Sequence, residues 1–110
     1  MPELRDAKLL KKVAEAFDLH PTKLINNGNL LGIDERIARA AYIYASRYGL
    51  GNYHKDCAGS IGYVESVSYK EIRWLSSFML STHTVKLHKK VMDLVLEAKI
   101  IAQKEKENDC

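Results

Sequence analysis

At 110 residues, 46% of them hydrophobic and 28% charged, the chain has the material for one domain with a modest core and too little for two. Its 17 Lys and Arg against 14 Asp and Glu leave a mild formal charge of +3, and this composition excludes a wholly disordered, collagen-like or disulfide-framework chain. The longest apolar run in the helical region, Ala40 to Ala45, falls far short of the ~20 residues a membrane span needs, and the charged start lacks a signal-peptide core, so a cytoplasmic protein without membrane contact is expected.

Pro2 suits a first helical position, and Leu4, Ala7, Leu10, Val13, Ala14 and Phe17 recur at spacings of three and four, predicting an amphipathic helix over 3–18. His20-Pro21 interrupts the pattern, and Pro21 opens a short helix over 22–27 that stops near Asn27-Gly28. Asp34 is a good N-cap for a helix over 35–48, with Gly49 as the left-handed residue that closes it. On that helix Ile37, Ala41, Tyr44 and Tyr48 form one stripe, while Arg36, Arg39 and Arg47 gather on a face about 120° away.

Residues 49–67 hold four of the six glycines and are expected to be irregular or partly helical. Ser68-x-x-Glu71 reads as a capping box opening a helix over 69–81, with Ile72, Leu75 and Met79 as its buried stripe. Trp74 then lies on the opposite side, facing outward as a stacking or docking residue unless the helix is buried on both sides. Ser81-Thr82-His83-Thr84 ends or kinks that helix, and a last one over 85–105 buries Leu87, Val91, Leu94, Val95, Ala98, Ile101 and Ala102. Met92, Leu96 and Ile100 form a second apolar face on it, which needs a second neighbour: another subunit or the first helix. No alternating strand pattern occurs, so the expected fold is an all-α bundle of about five helices, a single domain over 1–104 with a mobile charged tail over 105–110.

Charge is concentrated in the middle of the chain. Residues 36–90 carry nine Lys or Arg against three acids, a surplus of six, and also eight of the nine aromatic residues. Cations that neutralise phosphates, interleaved with rings able to stack on bases, are the composition of a nucleic-acid surface. The expected phosphate contacts are Arg36, Arg39, Arg47, Lys70, Arg73, Lys86, Lys89 and Lys90.

Reaction chemistry finds less support. His54-x-x-Cys57 and His83-x4-His88 offer four potential metal ligands, but two histidines five residues apart lie about 140° apart on an ideal helix. A Cys57/His54 nucleophile pair has no orienting group suggested nearby, and no Lys-Ser or Lys-Thr follows the glycine pairs to make a phosphate-cradling loop. A non-enzyme without metal or cofactor is expected. Two cysteines, Cys57 and Cys110, are too few for a disulfide framework and fit a reducing compartment.

Two resemblances add to this reading. Val13 to Leu24 resembles the helix-turn-helix of small DNA-binding regulators, with Ala14 as the small residue of the first helix, Asp18 at the turn position usual for glycine, and Thr22 and Lys23 beginning the recognition helix. The order of Ala40-Ala41-Tyr42-Ile43-Tyr44-Ala45-Ser46-Arg47-Tyr48-Gly49, a glycine-rich linker with Gly62-Tyr63, a Ser-capped helix and a Lys-rich final helix resembles the small subunit of a CRISPR effector complex, in its archaeal type I-A form. That second resemblance implies a non-enzymatic helical bundle that stacks in several copies and contacts other subunits. It further implies a role in holding the guide RNA and target duplex or the displaced DNA strand.

Overall fold

A computed structural model describes residues 4–28, 31–82 and 85–108. Helix α1 spans Leu4–Ala16, a 3-10 turn Pro21–Lys23, α2 Ile33–Ala45, α3 His54–Gly59, α4 Glu65–Thr82 and α5 Val85–Asn108, and the described residues contain no strand. The protein is therefore an all-α bundle of the expected kind, and no described helix is long and apolar enough to cross a membrane.

The order of the helices around α2 explains the core. Helix α2 packs against α1, α4 and α5 at once. Its Ala38, Ala40, Ala41, Tyr42, Ile43 and Ala45 are all buried, so apolar residues are needed on several sides and small ones where neighbours come close. The single stripe expected from spacing does not describe this helix: Ala41 is buried, Ile37 and Tyr44 only partly, and Tyr48 is 51% exposed, its ring tilted against Tyr44. Around α2 the core is completed by Leu9, Leu10, Val13 and Ala14 of α1, Leu75 and Met79 of α4, and Val91, Leu94, Val95, Ala98 and Ile101 of α5.

Helix ends show where local chemistry departs from the expected boundaries. Helix α1 closes on Asp18, whose φ of 56° lets the Leu19 N–H reach the Ala14 carbonyl at 2.8 Å, so an aspartate takes the left-handed position usually given to glycine. Asp34 is not the cap of α2. The extended Gly32 caps it, its N–H donating to the Glu35 carboxylate at 3.4 Å, and this places Asp34 and Glu35 in the first turn where the helix dipole favours them. Helix α4 starts at Glu65, four residues before its predicted first residue, so Ser68 and Glu71 form no capping box and lie buried inside the helix. Helix α5 continues through residues 105–108, where a mobile tail was expected. Its 24 residues run about 36 Å at the helical rise.

At its C-terminal end α2 widens into a π turn, Ser46–Leu50, and Gly51, with φ of 77°, is the left-handed residue that stops it. Gly49 has a different task from the one expected. A Cβ there would meet the Ala98 side chain and lie 2.7 Å from the Val95 carbonyl oxygen, so the absence of a side chain is what lets the π turn seat against α5. Because the obstructing atoms are the Ala98 Cβ and the Val95 backbone carbonyl, Gly49→Ala is expected to destabilise the fold by about 1–3 kcal/mol in denaturant unfolding, the range for overpacking, whereas Gly59→Ala, with open space around it, leaves the unfolding free energy within about 1 kcal/mol of wild type.

Candidate nucleic-acid interface

Three of the eight predicted phosphate contacts turn inward. Glu71 is 1% exposed, and Arg36 donates to both of its oxygens, through Nε to Oε2 at 3.3 Å and Nη2 to Oε1 at 3.4 Å, while Arg39 Nη2 reaches the same Oε1 at 3.1 Å. The same guanidiniums lie over aromatic rings, Arg36 4.1 Å from the Trp74 ring and Arg39 4.8 Å from the Tyr63 ring. A carboxylate this deep needs cations beside it, so the two guanidiniums hold α2 against α4. Trp74 is part of the same construction. It is partly buried against the core, stacked on Phe78 with ring centroids 5.1 Å apart, and does not stand free of the helix as its position opposite the predicted stripe suggested.

Arg47 is engaged at the other end of α2. Asn52 is buried and donates from Nδ2 to Asp6 and to Ser46 Oγ, each at 3.0 Å, and its Oδ1 accepts from Arg5. Its backbone carbonyl accepts from Arg47 at 3.1 Å and from the Cys57 thiol at 3.6 Å. This network pins the start of α1 to the π turn and α3, through a glycine-bounded asparagine that composition alone marks only as loop. Burial pushes the Cys57 thiol up in pKa, the opposite of what a nucleophile requires. His54 points elsewhere, its Nδ1 2.8 Å from Ser68 Oγ and its ring stacked on Tyr69 at 3.8 Å. No cluster of three or more potential metal ligands exists among the described residues, which do not include His83.

The remaining cations are on the outside. Lys70, Arg73, Lys86, Lys89 and Lys90 are exposed, and Lys70 lines a shallow cleft of about 360 Å³ together with Arg36, Arg39 and Tyr63. Along the seam of α1 and α5 run two adjoining clefts of about 400 and 480 Å³ that share Glu97. Lys8, Lys11, Lys12 and Lys104 line the first, Lys86, Lys89 and Lys90 the second, against only Glu15, Asp93 and Glu97. Lys90 also sits 4.8 Å over the Phe17 ring, tying α5 to the end of α1. Reasoning along the sequence missed the four lysines of the first cleft because the ends of the chain, taken as a block, carry an acidic balance. The spacing Lys8, Lys11, Lys12 on one side of an amphipathic helix was the available signal.

Of the second apolar face, Leu96 and Ile100 are 56% and 49% exposed, while Met92 is partly buried against the core. The helix-turn-helix segment contains α1 and a three-residue 3-10 turn with Leu24 buried behind it, which leaves no helix there long enough to lie in a DNA groove. Comparison with protein-family models, curated proteins and solved structures finds no match to this chain.

Removing the Glu71 charge strands two guanidiniums. Glu71→Gln is expected to cost about 3–5 kcal/mol in chemical denaturation, and Arg39→Met, at a side chain 13% exposed, costs more than Arg36→Met, at one 33% exposed. Partial burial, aided by the nearby Arg47 and opposed by Glu65, holds the His54 pKa below its usual value. The unfolded chain therefore takes up a proton first. Stability from this group is complete above pH about 6.5 and is lost as the pH falls from there toward the folded pKa, so an NMR titration of His54 has its midpoint below 6.5 and His54→Gln flattens that decline.

Proposed function

We propose that this chain is a non-catalytic helical subunit of a nucleoprotein assembly that grips the nucleic-acid phosphate backbone along the seam of α1 and α5. The observation that carries the reading is the pair of adjoining clefts where seven lysines face three acids. Lysines are strongly hydrated point charges that contact phosphate without reading bases, so the expected binding is tight at low salt and indifferent to sequence. From Lys86 to Lys104 the helical rise covers about 27 Å, the length of roughly eight phosphates along one strand of a duplex.

Absence of a catalytic role is supported by the engagement of the reactive side chains, with the Cys57 thiol buried against a carbonyl and His54 held by Ser68 and Tyr69. The exposed Leu96 and Ile100 support a further contact, with a neighbouring subunit or another copy of this chain. Charge, helical class and a spare apolar face together agree with the role that the resemblance to small CRISPR effector subunits implies, with guide RNA and target or displaced DNA as the nucleic acid.

Four phosphate contacts on duplex DNA would give a loss of affinity of about 100-fold between 50 and 200 mM salt. Replacing Lys86, Lys89 and Lys90 together by Gln is expected to weaken binding to every sequence alike and to lower the log–log salt slope by about 2–3. Binding that ignores salt, or that survives this triple replacement with its slope unchanged, would exclude the α1–α5 seam as the interface.

A further inference from the structure

A second surface, across the molecule's α3–α4 edge, presents rings as well as charge. His54 opens α3 and Tyr69 lies in the second turn of α4, and their rings stack nearly parallel, 3.8 Å between centroids and 21° between planes. Ser68 fixes the imidazole through Nδ1 at 2.8 Å, so the pair is held in place rather than free to rotate. Yet the stack is not covered: Tyr69 is 50% exposed, and Tyr53, the residue before His54, is 76% exposed. Aromatic area left in water beside a packed core is costly unless something meets it.

The charges around these rings say what kind of partner fits. Lys55 follows His54, Lys70 follows Tyr69, and Arg73 lies one helical turn beyond Tyr69 on the same side of α4; all three are exposed. The acids at this edge are Asp56 and Glu65, so cations are in excess. Burial holds the imidazole largely neutral at physiological pH, which leaves it a flat ring and not another point charge. Fixed, open ring faces bordered by cations are what base stacking on a single strand uses, because every base has a π-face and every nucleotide a phosphate.

We propose that the His54–Tyr69 stack, with Tyr53 and Lys55 beside it in the chain, Arg73 on the same side of α4 and Lys70 on the adjoining face, binds unpaired bases of a single-stranded nucleic acid. This rests on reading the chain as a nucleic-acid-binding protein and adds to it the form of nucleic acid and the second surface that takes it. The lysine seam contacts backbone alone, whereas this edge requires bases that are free to leave a helix.

The test uses the full chain and three fluorescein-labelled probes of about 15 nucleotides in anisotropy titrations at fixed low salt: oligothymidylate, an abasic strand with the same phosphates, and a duplex. Wild type is expected to bind oligothymidylate more tightly than the abasic strand. Tyr69→Ala and Tyr53→Ala each lower oligothymidylate affinity by about 5- to 100-fold, leave abasic binding unchanged, and are rescued by Tyr69→Phe and Tyr53→Phe. Equal binding of abasic strand and oligothymidylate by wild type overturns the proposal without needing any variant to fold. So does an unchanged affinity in Tyr53→Ala and Tyr69→Ala when replacement of Lys86, Lys89 and Lys90 weakens all three probes, an outcome that leaves the backbone-binding reading standing. No binding of any probe by wild type removes both.

Discussion

A single buried carboxylate sets the terms for half of this structure. Glu71 is inside α4 where an ionised group is tolerable only if cations follow it, and the two that do, Arg36 and Arg39, are three residues apart on α2 so that both reach the same carboxylate. Satisfying that charge fixes the rotation of α2 and α4 about their own axes. Once they are so turned, Trp74 and Tyr63 lie under the guanidiniums, and α4 has its Tyr69 and Arg73 left facing water. Hydrophobic packing alone would permit neighbouring rotations of an alanine-rich helix such as α2, since its small residues discriminate poorly between them.

The opposite end of α2 is held by a different device. There the π turn brings Gly49 against the backbone of α5, and Asn52 gathers Asp6, Ser46, Arg5, Arg47 and Cys57. Within this network the Asn52 side chain meets acceptors through Nδ2 and a donor through Oδ1, and such directional contacts specify one arrangement where apolar contacts would accept several. Helix α2 is thus clamped by a buried ion pair at its start and, at its end, by a hydrogen-bond network centred on the neutral Asn52 amide. On the α1–α5 seam and the α3–α4 edge the described cations are exposed, Lys90 alone of those named there lying over a ring, that of Phe17.

The helical class, four of the five α-helices and the buried stripe of α5 were legible in the sequence because they depend on period and on local stop signals such as His20-Pro21, whereas the helix expected over 22–27 is only the 3-10 turn Pro21–Lys23 and α3 lies in the stretch expected to be irregular or partly helical. What was not legible depended on contacts far along the chain. Arg36 and Arg39 look like an exposed basic face until Glu71, 35 residues from Arg36, is placed opposite them. Ser68-x-x-Glu71 has the spacing of a cap, and nothing local reveals that Glu71 is required elsewhere and Ser68 by His54. Gly49 reads as a helix terminator because the alternative reason for a glycine, a second helix passing too close for a side chain, involves Ala98 and Val95 half the chain away. The lysines of α1 were hidden by arithmetic on contiguous blocks, since folding sums charge across α1 and α5 and not along the backbone.

Cys57 gives this packing a chemical readout. Its thiol is shut in beneath Asn52 with its pKa raised, so an alkylating reagent reaches a thiolate there only after α3 has parted from the π turn. The rate at which that one sulfur is capped is a clock for the opening of the Asn52 network, carried by the native sequence and requiring no introduced label.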